Sequence, residues 1–130
     1  MVNIPSSHAD LLERPIVVTL VTLMPDGQPQ ATPIWMDLHE GLLRVNTVAG
    51  RQKDRNLRDR VMATVLAIDP ENPYRWMEVR GKVVWESEGD DRAVIEKLSQ
   101  DYTGGPYAGH VDSDRRVTYH IEPERVVTSG

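Results

Sequence analysis

Apolar and polar positions change their period along the chain, and each change marks an element. "PIVVTLVTLM", from Pro15 to Met24, is rich in β-branched residues and apolar on both faces, which predicts a buried strand. Ahead of it, Ser6 or Ser7 is placed to cap a short helix through Leu11, Leu12 and Glu13, stopped by Pro15. "PDGQ", from Pro25 to Gln28, is a turn with Asp-Gly at its centre. A second strand follows in "QPQATPIWMDLH", where Pro29 and Pro33 mark an edge, a bulge or a strand start. "HEG" turns the chain again, and "LLRVNTV", Leu42 to Val48, is a third strand. Short turns between the three imply an antiparallel meander.

Alternation then stops. "GRQKDRNLRDR", 50–60, suits a helix of two to three turns with Leu57 packing inward. "VMATVLAID", Val61 to Asp69, is another two-sided strand, broken by "PENP". "YRWMEVRGKVVWES", Tyr74 to Ser87, is a long alternating strand with Gly81 as a bulge or close approach. "DDRAVIEKLSQDY", Asp90 to Tyr102, is an amphipathic helix with Val94, Ile95 and Leu98 along one side. A Gly-rich loop leads to a last strand, 116–121, and a frayed end. Five or more strands joined sequentially in a small domain predict a barrel.

Length and composition narrow the class. A chain of 130 residues is read as one domain, 1–130, with enough length to bury a core. The absence of Cys removes disulfides and thiol chemistry, and with an N-terminus that lacks a signal-peptide pattern it leads to an expectation of a cytoplasmic protein. No apolar run approaches the roughly 20 residues of a membrane helix. A net charge of -5 argues against nucleic acid as a partner. His8, His39, His110 and His120 are far apart in sequence and show no metal-binding spacing, so no metal is expected. No residues stand out as an acid–base pair or activated nucleophile, and the catalytic residues stay unassigned.

Against that acidic background, residues 51–60 hold Arg51, Lys53, Arg55, Arg58 and Arg60, five of the fifteen Lys and Arg. Most charge runs are solvated helix faces, and an Asp54–Arg58 pair at i,i+4 supports that reading here. Position points elsewhere. The run follows a strand and the small-residue loop "AG", so it opens a helix, where free backbone N–H groups and the dipole attract anions. Arg51 and Lys53 in a first turn work against the dipole unless an anion such as phosphate lies between them. Asn46 and Thr47, at the end of the preceding strand, add amide and hydroxyl groups. There is no Walker loop and no GxGxxG.

The aromatic residues supply a second feature. Trp85 is expected in the core, and Trp35 and Trp76 also suit it. Yet Tyr74 and Trp76 lie two apart on one strand face and so form a paired aromatic surface beside charge, which suits a flat ring. A phosphate clamp with an aromatic wall on a small barrel suggests a phosphorylated ring cofactor.

"VTLVTLMPDGQPQATPIWMD", "LRVNTVAGRQKDRNLRDR" and "MATVLAIDPENPYRWMEVRGKV", in this order, resemble the pyridoxamine 5'-phosphate oxidase-like split-barrel superfamily, and within it the branch of deazaflavin (coenzyme F-420)-dependent reductases. The most specific piece is Arg-x-Lys-x-Arg-Asn-Leu, Arg51 to Leu57; "VRGKV", Val79 to Val83, is the second. The resemblance implies a mainly β, six-stranded antiparallel split barrel that forms a homodimer with two cofactor sites at its interface. It implies that Arg51 and Lys53 hold the cofactor phosphate, that Asn46 and Thr47 line the approach, and that Pro33, Ile34, Trp35 and Met36 run along the ring. Trp76 would close the site from the other subunit, Asn56 would fix the helix to its neighbours, and the loop 103–110 would lie near the substrate mouth. Arg55 and Arg58 would attract the acidic oligoglutamate tail of coenzyme F-420, which flavin mononucleotide (FMN) lacks. The chain departs from the oxidases proper: it has Gly50-Arg51-Gln52-Lys53 where they carry Ser-Arg-Lys, and it lacks their C-terminal Arg-x-His.

Three functions follow. The first is an oxidoreductase that passes hydride from reduced coenzyme F-420 to a small unsaturated or quinone-like acceptor. The second is an FMN-binding oxidoreductase of the same fold. The third is a non-catalytic carrier of a cofactor or tetrapyrrole.

Overall fold

In a computed structural model, which describes residues 2–130, the chain forms a seven-segment antiparallel sheet and three helices. The elements are α1 (Asp10–Glu13), β1 (Val18–Leu23), β2 (Pro29–Ile34), β3 (Met36–His39), β4 (Leu42–Val48), α2 (Gln52–Asp59), β5 (Met62–Asp69), β6 (Asn72–Glu86), α3 (Arg92–Thr103) and β7 (Arg116–Ser129). Their order in the sheet is β2-β1-β5-β6-β7-β4-β3.

That order explains how the sheet closes. β2 and β3 are one stretch of chain interrupted at Trp35, yet they lie at opposite edges of the sheet. Ile34 pairs with Val18 of β1, and two residues later Met36 pairs with Val45 of β4. The single expected strand from Gln28 to His39 therefore reaches both edges, and a six-stranded split barrel is recorded as seven segments. Pro33, which cannot donate to a ladder, sits just before the break.

Inside lies one apolar cluster in which Leu20, Met36, Leu43, Val65, Met77, Val79 and Ile121 are buried. The β-branched and long apolar residues that alternate along the strands supply it, and Leu57 joins it from α2. Gly81 lets β6 and β7 approach. A Cβ there would stand 2.3 Å from the Glu122 carbonyl oxygen, and the register of the two strands shifts at that point.

Three expectations need correction. The last strand does not end near Ile121: β7 runs to Ser129, because the long β6 pairs with it as far as Trp76 opposite Ser129. The buried His8 side chain also bonds the Ser129 carbonyl at 2.8 Å. Trp85 is not in the core. It is 48% exposed and packs on His120, with ring centroids 4.5 Å apart, beside a second register shift between β6 and β7. Neither Ser6 nor Ser7 caps α1; Ala9 precedes it without a side-chain cap.

Candidate functional site

α2 follows β4 through Ala49 and Gly50, the latter at φ +95°, a conformation that favours glycine. The turn is fixed from inside the protein. Asp54 is buried, and its Oδ2 accepts the Gly50 N–H at 2.8 Å. Its Oδ1 accepts the Tyr119 hydroxyl at 2.5 Å and the Arg58 guanidinium at 3.2 Å. Burial and the Asp54 hydrogen bond both push the Tyr119 phenol up from its ordinary range. Asn56 is also fully buried and donates to Thr22 Oγ1 at 3.0 Å, so it does fix the helix to β1.

With Asp54 and Asn56 turned inward, the start of α2 presents Arg51 and Lys53 to a cavity of about 380 Å³. That volume lies within the range of small-molecule sites. Pro33, Ile34, Trp35 and Asn46 line it as well, so the cavity occupies the seam where the barrel closes. Neither Arg51 nor Lys53 has an ion-pair partner among the described residues. Burial pushes the Lys53 ammonium below the usual lysine range, and Arg51 and Arg116 push it the same way. Cations gathered without a counter-charge, beside backbone N–H groups that have no intrahelical acceptor, are the chemistry that suits an anion.

The other expected site residues take different places. Met36 is buried behind the cavity, its N–H bonded to the Tyr102 hydroxyl at 3.1 Å, and that hydroxyl donates to the Ile16 carbonyl at 2.8 Å. Thr47 points into the protein from the opposite face of β4 to Asn46, and its Oγ1 is a buried atom without a hydrogen-bond partner. Arg55 is exposed and bonded to Gln52, away from the cavity lining. Arg58 pairs with Asp54 and with Glu86 at 3.0 Å, so its charge is compensated within the chain. Trp76 lines a separate depression of about 610 Å³ with Leu66, Ile68, Pro73 and Val127, which shares no residue with the cavity. Beside it Tyr74 is 81% exposed.

Several residues at the cavity were not singled out in the sequence, although the loop 103–110 that carries Tyr107 was expected near the substrate mouth. Val17, Ile95 and Leu98 supply apolar wall. Tyr107 comes from the Gly-rich loop and stands edge-on to Trp35, centroids 6.3 Å apart, while Tyr102 stacks on the Trp35 face at 5.2 Å. Arg116 is only 4% exposed and donates to Asn46 Oδ1 at 3.3 Å and to the Tyr107 hydroxyl at 2.7 Å. An aromatic residue set among glycines in "GGPYAGH" was the available signal for Tyr107. Nothing in "DRRVTYH" separates a buried Arg116 from the exposed Arg115.

The molecule is an antiparallel split barrel with an aromatic-walled cavity at its seam that two uncompensated cations line. The chain belongs to the pyridoxamine 5'-phosphate oxidase family, whose profile matches residues 4–130. It is similar to a solved F420 reductase, at 34% identity and a TM-score of 0.87, covering 95% of this chain and 98% of that one. A conserved hypothetical protein of Mycobacterium tuberculosis shares the fold at 24% identity and a TM-score of 0.76, over 99% and 86% of the two chains. The heme storage protein HutZ of Vibrio cholerae shares it at 12% identity and a TM-score of 0.69, over 99% and 96%. No curated protein matches the chain in sequence.

Proposed function

We propose that the protein is a cytoplasmic, homodimeric oxidoreductase that binds coenzyme F-420 in the seam cavity and reduces a small unsaturated or quinone-like acceptor. The observation that carries this reading is the pair of uncompensated cations, Arg51 and Lys53, at the start of α2 beside Trp35. The 34% identity to an F420 reductase supports the choice of a deazaflavin. The residues present fit such a group. Arg51 and Lys53 hold its phosphate, with Asn46 alongside. Pro33, Ile34 and Trp35 lie along its ring, with Met36 filling the space behind. Arg55 faces the acidic tail, and Trp76 of the partner subunit closes the site. The apolar surface of Leu66, Ile68, Trp76 and Val127 is the part of the sheet that a second copy would cover. Thr47 stays behind Asn46 as part of the strand that positions it.

When bound, the coenzyme supplies the hydride; the protein contributes binding, orientation and exclusion of water. That division agrees with a cavity lined, among the described residues, by no paired carboxylates or activated nucleophile. Mixing the protein with reduced coenzyme and a quinone, and following the coenzyme's absorbance, tests the reading. Enzyme-dependent oxidation is expected. Binding without oxidation would make the protein a carrier, and a monomer by light scattering at micromolar concentration would remove the shared site.

FMN is the second reading, because the same two cations suit any ring cofactor carrying one phosphate. It leaves Arg55 without a ligand group.

A further inference from the structure

Arg116 is a buried cation directly behind the cavity wall, bonded to the lining residues Asn46 and Tyr107, that the phosphate clamp does not explain. It is almost fully buried and forms no ion pair among the described residues. A buried charge of this kind is costly unless it is bonded or meets an anion. Its guanidinium is committed to two neutral oxygens, Asn46 Oδ1 and Tyr107 Oη. The Tyr107 oxygen accepts from Arg116, and no described residue accepts the phenol's own proton. Tyr107 lines the cavity and stands edge-on to Trp35, so its phenol ring is part of the aromatic wall.

The loop that carries Tyr107 is also held in place. Glu96 of α3 accepts the Tyr107 backbone N–H at 3.1 Å and pairs with His110. Ser99 donates to the Gly105 carbonyl at 2.8 Å. A hydroxyl held at both its loop and its oxygen is a preorganised donor, and preorganised donors bind oxygen at the least entropic cost.

Resting on the functional reading above, we propose that Tyr107 is the specificity residue for the acceptor, donating its hydroxyl proton to a carbonyl oxygen, and that Arg116 is the positioning residue that orients it. A single neutral donor beside a flat wall suits a planar conjugated ketone or quinone. A phosphate takes several donors at once, and those converge at Arg51, Lys53 and the start of α2.

Two probes of the same shape test this on the cofactor-free protein: 1,4-naphthoquinone and naphthalene, measured by equilibrium dialysis. In Tyr107→Phe, naphthoquinone affinity should fall about fivefold, the size of one neutral hydrogen bond, with naphthalene unchanged. Arg116→Met should give a similar selective loss, and Arg116→Lys a smaller one. Inorganic phosphate should bind Tyr107→Phe as it binds the parent protein. Equal losses for both ring probes, no loss for naphthoquinone, no binding of naphthoquinone to the parent, or a loss confined to phosphate would each overturn the proposal. Because no arm uses the deazaflavin, failure here is distinct from failure of that coenzyme to bind.

Discussion

The Tyr119 hydroxyl donates to Asp54 Oδ1 at 2.5 Å, linking β7 to the first turn of α2 beneath the cavity. This bond turns a carboxylate away from the two cations that precede it, and so leaves Arg51 and Lys53 uncompensated. Tyr119→Phe removes a buried hydrogen bond to a charged group, worth about 2 kcal/mol. The expected result is a fall in Tm of about 7 °C for a domain of this size, measured by calorimetry. Ligand phosphate should bind more weakly as the Asp54 carboxylate gains freedom to approach Lys53.

Lys53 is partly buried, and burial, with the charges of Arg51 and Arg116, holds its ammonium below the ordinary range. The position is strained when no anion is present. Lys53→Met should therefore stabilise the ligand-free protein by about 1 kcal/mol in urea unfolding at neutral pH, as replacements at strained functional sites often do. The same substitution should weaken binding of a phosphorylated cofactor about 10- to 100-fold, the value of a charge-assisted hydrogen bond. Stability and affinity moving in opposite directions would mark Lys53 as a binding residue rather than a solubilising one.

Arg55 and Arg58 separate in the fold. Arg58 is paired with Asp54 and Glu86, while Arg55 has only Gln52. Arg55→Ala should weaken binding of coenzyme F-420 about threefold, the scale of one exposed ion pair, and leave FMN binding unchanged. Arg58→Ala should cost stability and change neither affinity selectively. Isothermal titration with both cofactors distinguishes these outcomes.

Acid should destabilise the protein in two stages. Burial pushes the His120 imidazole below its ordinary value, and His39 and Arg44 act in the same direction. A depressed histidine favours the neutral ring in the fold, so stability falls as pH drops below about 6.5, where the unfolded chain binds the proton first. Burial pushes the Asp37 carboxyl up, but hydrogen bonds from Arg44 and Lys97 outweigh it and hold the group below its ordinary value. Its contribution is present above about pH 3.9 and is lost as pH falls through the lower folded value. Urea midpoints in His120→Gln should flatten the first stage, and in Asp37→Asn the second.

Most elements were legible because the strands keep their period and most breaks carry a turn residue; the break at Trp35 and the length of β7 carry no such local signal. Closure of the barrel was harder to read, since no local pattern says that Ile34 pairs with β1 while Met36 pairs with β4. The start of α2 was legible from a small-residue loop followed by unpaired cations. The loop 103–110 was expected near the substrate mouth only by resemblance, with Tyr107 not singled out in it, and Arg116 was not legible, because it reaches the wall through a contact nine residues apart. Trp85 shows the limit of alternation: a register shift beside Val83 leaves it on the surface.

The central claim is that the seam cavity binds a phosphorylated deazaflavin. The most direct measurement is titration of the protein with coenzyme F-420 and, separately, with FMN, following quenching of Trp35 fluorescence against a Trp35→Phe control. Saturable quenching by coenzyme F-420, stronger than by FMN and lost in Arg51→Ala with Lys53→Met, is the expected result. Preference for FMN would contradict the choice of cofactor, and absence of quenching by either would return residues 51–60 to an ordinary charged helix.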